Sequence, residues 1–271
     1  MVIDNIYTDL DYCHEDNLYF LKFFSTYDES KCEQRLQFFF ENSNSKELMN
    51  LSQTLNLKSV IGFGDELQKL IRLKKYANDI LSFDGKFLRS REFEYMNSLE
   101  IISSAKKLGF SLNCRYKSFI FTQMLLSLDY KARWVRCLPF DLRTSDAHCV
   151  TEVYIESLRK WIVVDCAFNM FYFSSEGMLL NLIEMRECLS SEKPIKFLTS
   201  NKENIDYIKK YWTQNVFRFS YLSDLSSKSI KEKNYIFYNL NPKDYQLKNT
   251  SYSTGKGFEK ILYYYDINNF Y

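Results

Sequence analysis

A cysteine at the start of a helix, with a strand soon after it, decides how this chain is organised. Residues 111–138 read SLNCRYKSFIFTQMLLSLDYKARWVRCL. Ser111 or Asn113 can cap a helix that runs from about Cys114 to residue 127. Apolar side chains cover a wide arc of that helix, which predicts that it is buried. The segment that follows, residues 132–138, is rich in residues favoured in strands.

Two more strands come next, and together they predict a hairpin. Residues 147–155 and 161–166 are rich in Val, Ile, Trp and Tyr, and residues 156–160 connect them. The chain has no internal repeat and no linker rich in Gly, Ser or Pro, so we expect one α+β domain with a helical N-terminal extension. The other predicted elements are helices at 33–41, 47–55, 65–81 and 92–108, a charged loop at 226–234, a strand at 235–240, and either a strand or a partner-binding tail at 258–271.

The composition excludes several classes of protein. The chain has 271 residues, 46% of them hydrophobic and 26% charged, which is typical of a globular protein. A net charge of +2 gives no basic field for nucleic acid or an anionic membrane. No apolar run approaches the length of about 18 residues that spans a bilayer. The first residues are acidic rather than basic and then apolar, so we expect no secretory signal.

The counts of cysteine and histidine limit the chemistry further. Seven cysteines, an odd number without a signal peptide, fit a reducing cytoplasm better than a disulfide framework. No pair has the C-x-x-C spacing of a zinc site, and we expect no metal and no cofactor. Only two histidines are present, so any imidazole chemistry must use His14 or His148. His14 lies in an acidic segment without ligand spacing, which favours a solvated surface residue.

Cys114 occupies a position that activates a thiol. The first turn of a helix is the positive end of its dipole, which lowers the pKa of a thiol and favours the nucleophilic thiolate. The same turn offers backbone N–H groups that can stabilise an oxyanion. The alternative is that Cys114 is a buried small hydrophobic residue, as most cysteines are.

The predicted hairpin brings a histidine and an aspartate to one face. His148 opens the first strand and Asp165 nearly ends the second. A four-residue loop sets His148 opposite residue 167, and a two-residue loop sets it opposite Asp165. Either loop leaves the two side chains on one face and within a diagonal pair, where the carboxylate can orient the imidazole. The next residue, Cys149, faces the other side, so we do not expect it to be the nucleophile.

This order of residues resembles the transglutaminase-like superfamily of papain-related enzymes, and in particular its bacterial members. A cysteine that opens a helix is followed by a histidine and then by an aspartate, each on a strand. The resemblance covers about residues 65–190 and extends more weakly to about residue 245. The matching segments are Asn113-Cys114-Arg115, Lys131 to Val135, Ala147-His148 with Glu152 to Tyr154, Lys160-Trp161 with Val164-Asp165, and then Asn169 and Glu176 to Leu180.

The resemblance implies a fold, a set of roles and a reaction. The fold is a papain/transglutaminase-like core in which the nucleophile-bearing helix packs on an antiparallel sheet. Cys114 would be the nucleophile, His148 the base and then the acid, and Asp165 the orienting carboxylate. The reaction would be acyl transfer or amide hydrolysis through a thioester, with a peptide, amide or thioester as acyl donor and an amine or water as acceptor. Two positions depart from the family pattern: Val150 replaces an aromatic residue, and residues 111–113 replace a Gly-rich approach.

On this basis the chain divides into three segments. Residues 1–64 are a helical N-terminal extension, residues 65–190 the transglutaminase-like catalytic core, and residues 191–271 C-terminal strands or a tail that complete the same domain. The alternative, which belongs to a different class of function, is a catalytically silent binding or interaction module with the same fold. The presence of all three triad residue types favours the enzyme. Arg133 and Glu152, charged residues in apolar strands, are expected to form an ion pair or to face solvent at an edge.

Overall fold

A ten-stranded sheet runs through the centre of the molecule. The structure, a computed structural model, describes residues 6–9, 15–29, 36–83, 96–142, 146–199, 205–232, 234–248, 250–254 and 257–271. The strands are β1 (Ile6–Asp9), β2 (Ala132–Leu138), β3 (His148–Ile155), β4 (Lys160–Asp165), β5 (Met170–Phe173), β6 (Lys196–Thr199), β7 (Arg218–Leu222), β8 (Asn234–Leu240), β9 (Thr250–Thr254) and β10 (Gly257–Tyr264). Their order is β1-β6-β5-β4-β3-β2-β7-β8-β10-β9, and every neighbouring pair is antiparallel except β8 and β10.

Helices cover both faces of this sheet. They are α1 (Glu15–Phe23), α2 (Lys46–Thr54), α3 (Leu57–Ile61), α4 (Glu66–Ile80), α5 (Ser98–Leu108), α6 (Cys114–Leu126), α7 (Leu182–Ser190), α8 (Ile205–Asn215) and α9 (Ser227–Glu232). Buried side chains of α2 to α6 form one core cluster with one face of the sheet, and those of α1, α7 and α8 form a second cluster with the other face. The expected α+β fold, with the helix that starts at Cys114 packed on an antiparallel sheet, is confirmed.

Two helix boundaries follow directly from their capping residues. α5 ends at Gly109, whose φ of 67° lies in the left-handed region that favours glycine. α6 begins after Asn113, whose side-chain oxygen accepts a hydrogen bond from the N–H of Tyr116 at 3.2 Å. Of the two candidate caps, Asn113 is therefore the one that the helix uses.

Polar contacts fix α6 on the sheet. Thr122 Oγ1 lies 2.9 Å from Thr151 Oγ1 of β3. Trp134 of β2 donates from its indole N–H to Ser118 Oγ at 2.8 Å. These side chains are buried, so each bond replaces one that water would make and specifies how the helix lies on the strands.

The β3–β4 hairpin has the longer of the two loops considered above. The strand pairing leaves four residues, 156–159, in the loop. The Glu66 carboxylate of α4 accepts hydrogen bonds from the backbone N–H and the hydroxyl of Ser157, at 3.1 Å and 3.0 Å. In this register His148 and Asp165 are diagonal neighbours rather than direct partners.

The helix predicted at 33–41 is wrong. Its described part, from residue 36 onward, is extended and forms an isolated bridge at Phe39, while the rest lies outside the described residues. Phe39 is 57% exposed, whereas Phe38 and Phe40 pack against the core clusters. Alternation of this kind is typical of extended backbone, since a helix turns successive side chains by only about 100°.

The N-terminal extension predicted at residues 1–64 is not only helical. It contains α1, α2 and α3, but it also contributes β1, which pairs with β6. Leu48 and Leu57 of the extension share a core cluster with Leu70 and Leu73 of α4. The extension therefore packs into the same core as the helices that follow it.

The C-terminal residues complete the sheet. The strand predicted at 235–240 is confirmed as β8. The charged loop predicted at 226–234 is wrong over α9, because Ser226 Oγ accepts a hydrogen bond from the N–H of Ser229 at 3.2 Å and starts a short helix. Of the two alternatives for residues 258–271, the strand is the one observed, as β10, and a 3₁₀ turn at Ile267–Asn269 follows it.

Candidate active site

Cys114 is the first residue of α6, so its side chain lies at the positive end of the helix dipole. Its sulfur is 3.8 Å from the carbonyl oxygen of Ala147, the residue immediately before β3. The thiol is partly buried and packs against the core cluster on the α6 face of the sheet. The fold thus places a cysteine in the first turn of a helix beside the start of a central strand.

His148 and Asp165 form a buried pair next to it. His148 is the first residue of β3 and Asp165 the last residue of β4. The imidazole Nε2 lies 2.7 Å from Asp165 Oδ2, and neither side chain is exposed to solvent. The second ring nitrogen, Nδ1, has no hydrogen-bond partner of good geometry among the described residues. The imidazole nevertheless lies within interaction range of the Cys114 sulfur, so Nδ1 is the nitrogen left for the thiol.

The Asp165 carboxylate is held by more than the imidazole. Its Oδ1 accepts hydrogen bonds from the backbone N–H groups of Ala167 and Phe168, both at 3.0 Å. Its Oδ2 accepts one from the Tyr172 hydroxyl at 3.0 Å. Trp212 of α8 donates from its indole N–H to that hydroxyl at 2.6 Å. Since a carboxylate with several donors stays ionised and fixed, it can orient the ring that it bonds.

Aromatic rings enclose the imidazole. Phe168 stacks on the His148 ring, with centroids 5.0 Å apart. Tyr211 and Trp212 of α8 approach it edge-on, at 5.1 Å and 5.0 Å. Tyr211 also donates from its hydroxyl to the carbonyl of Ala147 at 3.1 Å. These rings exclude water from the pair and strengthen the electrostatic interactions inside it.

Cys149, the residue after His148, also lies beside Cys114. Strand alternation turns Cys149 toward the α6 face, away from the side of His148, as the sequence predicts. Its thiol and its backbone N–H both lie within interaction range of the Cys114 sulfur. The Cys114 sulfur therefore lies beside the His148 ring and the polar groups of Cys149, an environment that favours a thiolate.

The pKa values of the site follow from these contacts. The hydrogen bond from Cys149, together with the hydrogen bond and charge of His148, holds the pKa of Cys114 well below its usual value, although burial opposes this. Burial alone would lower the pKa of His148, but the charge and hydrogen bond of Asp165 and the contact with Cys114 raise it to about 10. Burial would likewise raise the pKa of Asp165, and the His148 charge outweighs it, so that pKa is lowered. These contacts therefore shift both groups toward their charged forms, the Cys114 thiolate and the His148 imidazolium.

The structure brings together all three residues that the sequence predicts for the site. It also shows neighbouring residues that the sequence analysis did not predict. Cys114, His148 and Asp165 meet although 51 positions separate the first from the last. Sequence reasoning missed the thiol of Cys149 as a partner of Cys114, although strand alternation already turns it toward the helix. It also missed Tyr172, for which the local pattern gives no signal. His14, the other histidine, lies outside the described residues.

The described part of the chain contains neither a candidate metal site nor a helix that could span a membrane. No group of three or more His, Cys, Asp or Glu side chains there could hold a metal ion. No described helix is both long enough and apolar enough to cross a membrane. Arg133 and Glu152 form a buried ion pair, with 2.6 Å between Nη2 and Oε2, on β2 and β3. Of the two expectations for these residues, the ion pair is the one observed.

A comparison with protein-family models agrees with the resemblance seen in the sequence. Residues 55–166 match the family model of the transglutaminase-like superfamily, which supports cysteine-dependent catalysis at the level of that superfamily. The chain is also similar to a crystal structure from Cytophaga hutchinsonii, provisionally named a cysteine protease, with 12% identity and a TM-score of 0.35. That similarity covers 70% of this chain and 58% of the other, so the chain spans less than two thirds of its length. None of the curated proteins matches this chain.

Proposed function

The chain carries a segment of the transglutaminase-like superfamily at residues 55–166, and from this premise we propose that it is a cysteine acyltransferase or amidase. Cys114 is the nucleophile, His148 the general base and acid, and Asp165 the carboxylate that orients the imidazole. The single observation that supports this best is the contact of one imidazole with both the Asp165 carboxylate and the Cys114 sulfur. A nucleophile, its base and the group that orients the base are the parts such chemistry needs.

In the first half-reaction the Cys114 thiolate attacks the carbonyl carbon of an amide or thioester. The new C–S bond forms as the carbonyl electrons move to oxygen, where the N–H groups at the start of α6 can donate to the oxyanion. The oxyanion then collapses and expels the amine or thiol. The Nδ1 proton of the His148 imidazolium passes to that leaving group, and a thioester remains on Cys114.

In the second half-reaction the neutral imidazole acts as a base. It accepts a proton from water or from an amine, whose oxygen or nitrogen attacks the thioester carbonyl. The C–S bond breaks, the Cys114 thiolate returns, and the product is an acid or a new amide. Hydrolysis and transfer thus share every residue and differ only in which acceptor reaches the thioester.

The acyl donor we propose is a peptide, an amide or a thioester, and the acceptor is water or an amine. A reducing compartment such as the cytoplasm suits this chemistry. The described cysteines 114, 137, 149, 166 and 188 are all free thiols, and a nucleophilic thiolate must stay reduced to work.

The test uses p-nitrophenyl acetate as the acyl donor, with intact-mass measurement of the protein. We expect one acetyl group per chain on Cys114, formed much faster than on free cysteine. Turnover in the Cys114→Ala variant should fall roughly 10⁴-fold or more, while its fold persists because the thiol fills little volume. Added glycinamide then distinguishes transfer, which yields N-acetylglycinamide, from hydrolysis, which yields acetate.

Cys188→Ala is the matched control, since Cys188 is also a partly exposed free thiol and burial raises its pKa. It should be acetylated like the natural protein. If the Cys114 thiol of the natural protein reacts no faster than free cysteine, the chain is a silent module with this fold and the proposed function is wrong.

A further inference from the structure

A lysine of α4 is buried beside the site without being part of the triad. Lys74 is 7% exposed. Its ammonium donates to the backbone carbonyl of Asn169 at 2.6 Å and to Asn169 Oδ1 at 2.7 Å. It also lies 4.8 Å from the centre of the Phe171 ring. Burying an ammonium costs free energy, and these contacts offset that cost. A buried lysine with such specific contacts points to a defined role at this position.

Several charged or titratable groups face this ammonium. Burial, with a contribution from the charge of Lys117 on α6, lowers the pKa of Lys74 to about 8, while Cys166 and Asp165 oppose that shift. The hydrogen-bond acceptors of Lys74 are nevertheless the neutral oxygens of Asn169. The lysine therefore holds a piece of backbone next to the carboxylate rather than forming a simple ion pair.

That backbone is the link that supports Asp165. Residues 166–169 connect β4 to β5, and Asn169 ends the link with a φ of 56°, in the left-handed region. Within the same link, Ala167 and Phe168 donate their N–H groups to Asp165 Oδ1. The Phe168 ring also stacks on the imidazole. The link therefore fixes both members of the Asp165–His148 pair, and Lys74 fixes the end of the link.

We infer that Lys74 is a positioning residue of the active site, which acts by clamping Asn169 so that the 166–169 link keeps its two N–H groups on Asp165. Asp165 then orients the His148 imidazolium beside the Cys114 thiolate. This inference rests on the proposed function of these three residues. Lys74 itself touches neither the reacting sulfur nor the imidazole in any contact described above.

A purely structural lysine would stabilise the fold without any effect on the Cys114 thiol. A positioning lysine has a further consequence, because a loosened link weakens the donors to Asp165 and so weakens the imidazolium that stabilises the thiolate. The apparent pKa of the Cys114 thiol, measured from the pH dependence of its alkylation by iodoacetamide, is therefore the readout that separates the two roles. This measurement needs no substrate.

The test compares Lys74→Met with Lys75→Met, its neighbour on α4, whose side chain is exposed. In Lys74→Met we expect the apparent thiol pKa to rise by roughly one unit and acetylation by p-nitrophenyl acetate at neutral pH to slow roughly ten- to a hundredfold, as a small misplacement of a catalytic group does. Lys75→Met should match the natural protein in both measurements.

A double variant shows through which residue Lys74 acts. When Asp165 is already replaced, in Asp165→Asn, the link has no carboxylate to hold, so adding Lys74→Met should change the rate by less than about twofold. If the two losses instead multiply in full, Lys74 acts independently of Asp165 and the inference is wrong.

Two further results are decisive. If Lys74→Met folds and its thiol titrates and reacts as in the natural protein, the inference is overturned while the proposed function stands. If the thiol of the natural protein already titrates like free cysteine, it is the proposed function that is wrong. Should Lys74→Met not fold, Asn169→Gly replaces it, because glycine keeps the left-handed backbone and removes the side chain that carries Oδ1, while the backbone carbonyl still accepts from Lys74. We expect a smaller rise in thiol pKa there, and no rise would overturn the inference.

Discussion

Two buried ion pairs share strand β3, and only one of them contains a cation that can lose its proton. His148 opens the strand and pairs with Asp165 of β4, and Glu152 pairs further along it with Arg133 of β2. Both pairs are almost completely shielded from solvent, and their polar atoms are 2.7 Å and 2.6 Å apart. Burial and charge therefore do not distinguish the two pairs.

The two carboxylates are also held in similar ways. Asp165 accepts from a cation, from backbone N–H groups and from a tyrosine hydroxyl, that of Tyr172. Glu152 accepts from Arg133, from the N–H of Leu182 at 3.1 Å, and from the hydroxyl of Tyr271 at 2.7 Å. Each set satisfies a buried charge, which would otherwise be expensive.

The difference lies in the cation. The Arg133 guanidinium lies 3.8 Å from the centre of the Trp161 ring and donates to the Phe270 carbonyl at 2.7 Å. It cannot lose a proton in a protein. The His148 ring bonds Asp165 with one nitrogen and keeps the other for Cys114, and it can gain and lose a proton. A buried pair becomes a reactive site only when one of its atoms remains available to exchange a proton.

The largest expected effect is on the free energy of unfolding, when the Arg133–Glu152 pair is broken. Arg133→Met should lower the free energy of unfolding by about 3–5 kcal/mol, because it leaves the Glu152 carboxylate buried without its cation. In the folded protein, the thiol titration of Cys114 should not change. Urea unfolding and iodoacetamide titration measure the two quantities.

Lys131→Met is the matched control for that experiment. Lys131 pairs with Glu156 at 2.8 Å, but both side chains are more than half exposed, so its loss should cost no more than about 1 kcal/mol. Replacing both members of the buried pair, in Arg133→Met with Glu152→Leu, should restore part of the stability. A full loss in this double variant would show that the rings around Arg133, rather than the charge of Glu152, decide the cost.

The second effect is on rate. Asp165→Asn should fold, because the amide fills the same space, but it should slow acyl-enzyme formation by roughly ten- to a thousandfold and raise the apparent pKa of the Cys114 thiol. The asparagine can donate to the imidazole and stabilise the wrong tautomer, and it removes the charge that holds the imidazolium. Unchanged kinetics and unchanged thiol titration in a folded variant would leave only a Cys114–His148 dyad.

The smallest effect is on the pH dependence of stability. The contribution of His148 is fully present below its unfolded pKa of about 6.5 and is lost as the pH rises through its folded pKa of about 10. The contribution of Cys114 is present above its unfolded pKa of about 8.5 and is lost as the pH falls through its lowered folded pKa. Between about pH 6.5 and 8.5 the proposed thiolate–imidazolium state carries one proton on these two groups, and the unfolded chain carries one on the Cys114 thiol, so the free energy of unfolding should be flat.

Above that plateau the free energy of unfolding should fall by up to about 1.4 kcal/mol per pH unit until about pH 10. In Cys114→Ala the plateau should disappear, and the fall should begin near pH 6.5 because only His148 then titrates. Urea unfolding at several pH values, with the His148→Gln profile subtracted from each, measures this. Identical profiles for the natural protein and Cys114→Ala would show that the two groups are not coupled.

The elements that carry the site could be predicted from local sequence. A helix that starts at Cys114 follows from a cap and an apolar arc, and strands at His148 and Asp165 follow from composition and alternation. Antiparallel pairing then fixes which side chains share a face. Local patterns failed at residues 36–41, where three consecutive phenylalanines fit a helix as readily as a strand and the contacts of Phe38 and Phe40 with distant residues decide between them.

By itself, the sequence determined which residues open the helix and the strands, and therefore which three residues are candidates for catalysis. Only the tertiary structure decided that His148 and Cys149 both lie beside the Cys114 sulfur. It also decided that Lys74 is buried against the 166–169 link. The physical reason is that helix starts and strand faces depend on neighbours a few positions away. The packing of α4 and α6 on the sheet joins residues as many as 95 positions apart, and no local periodicity encodes such a contact.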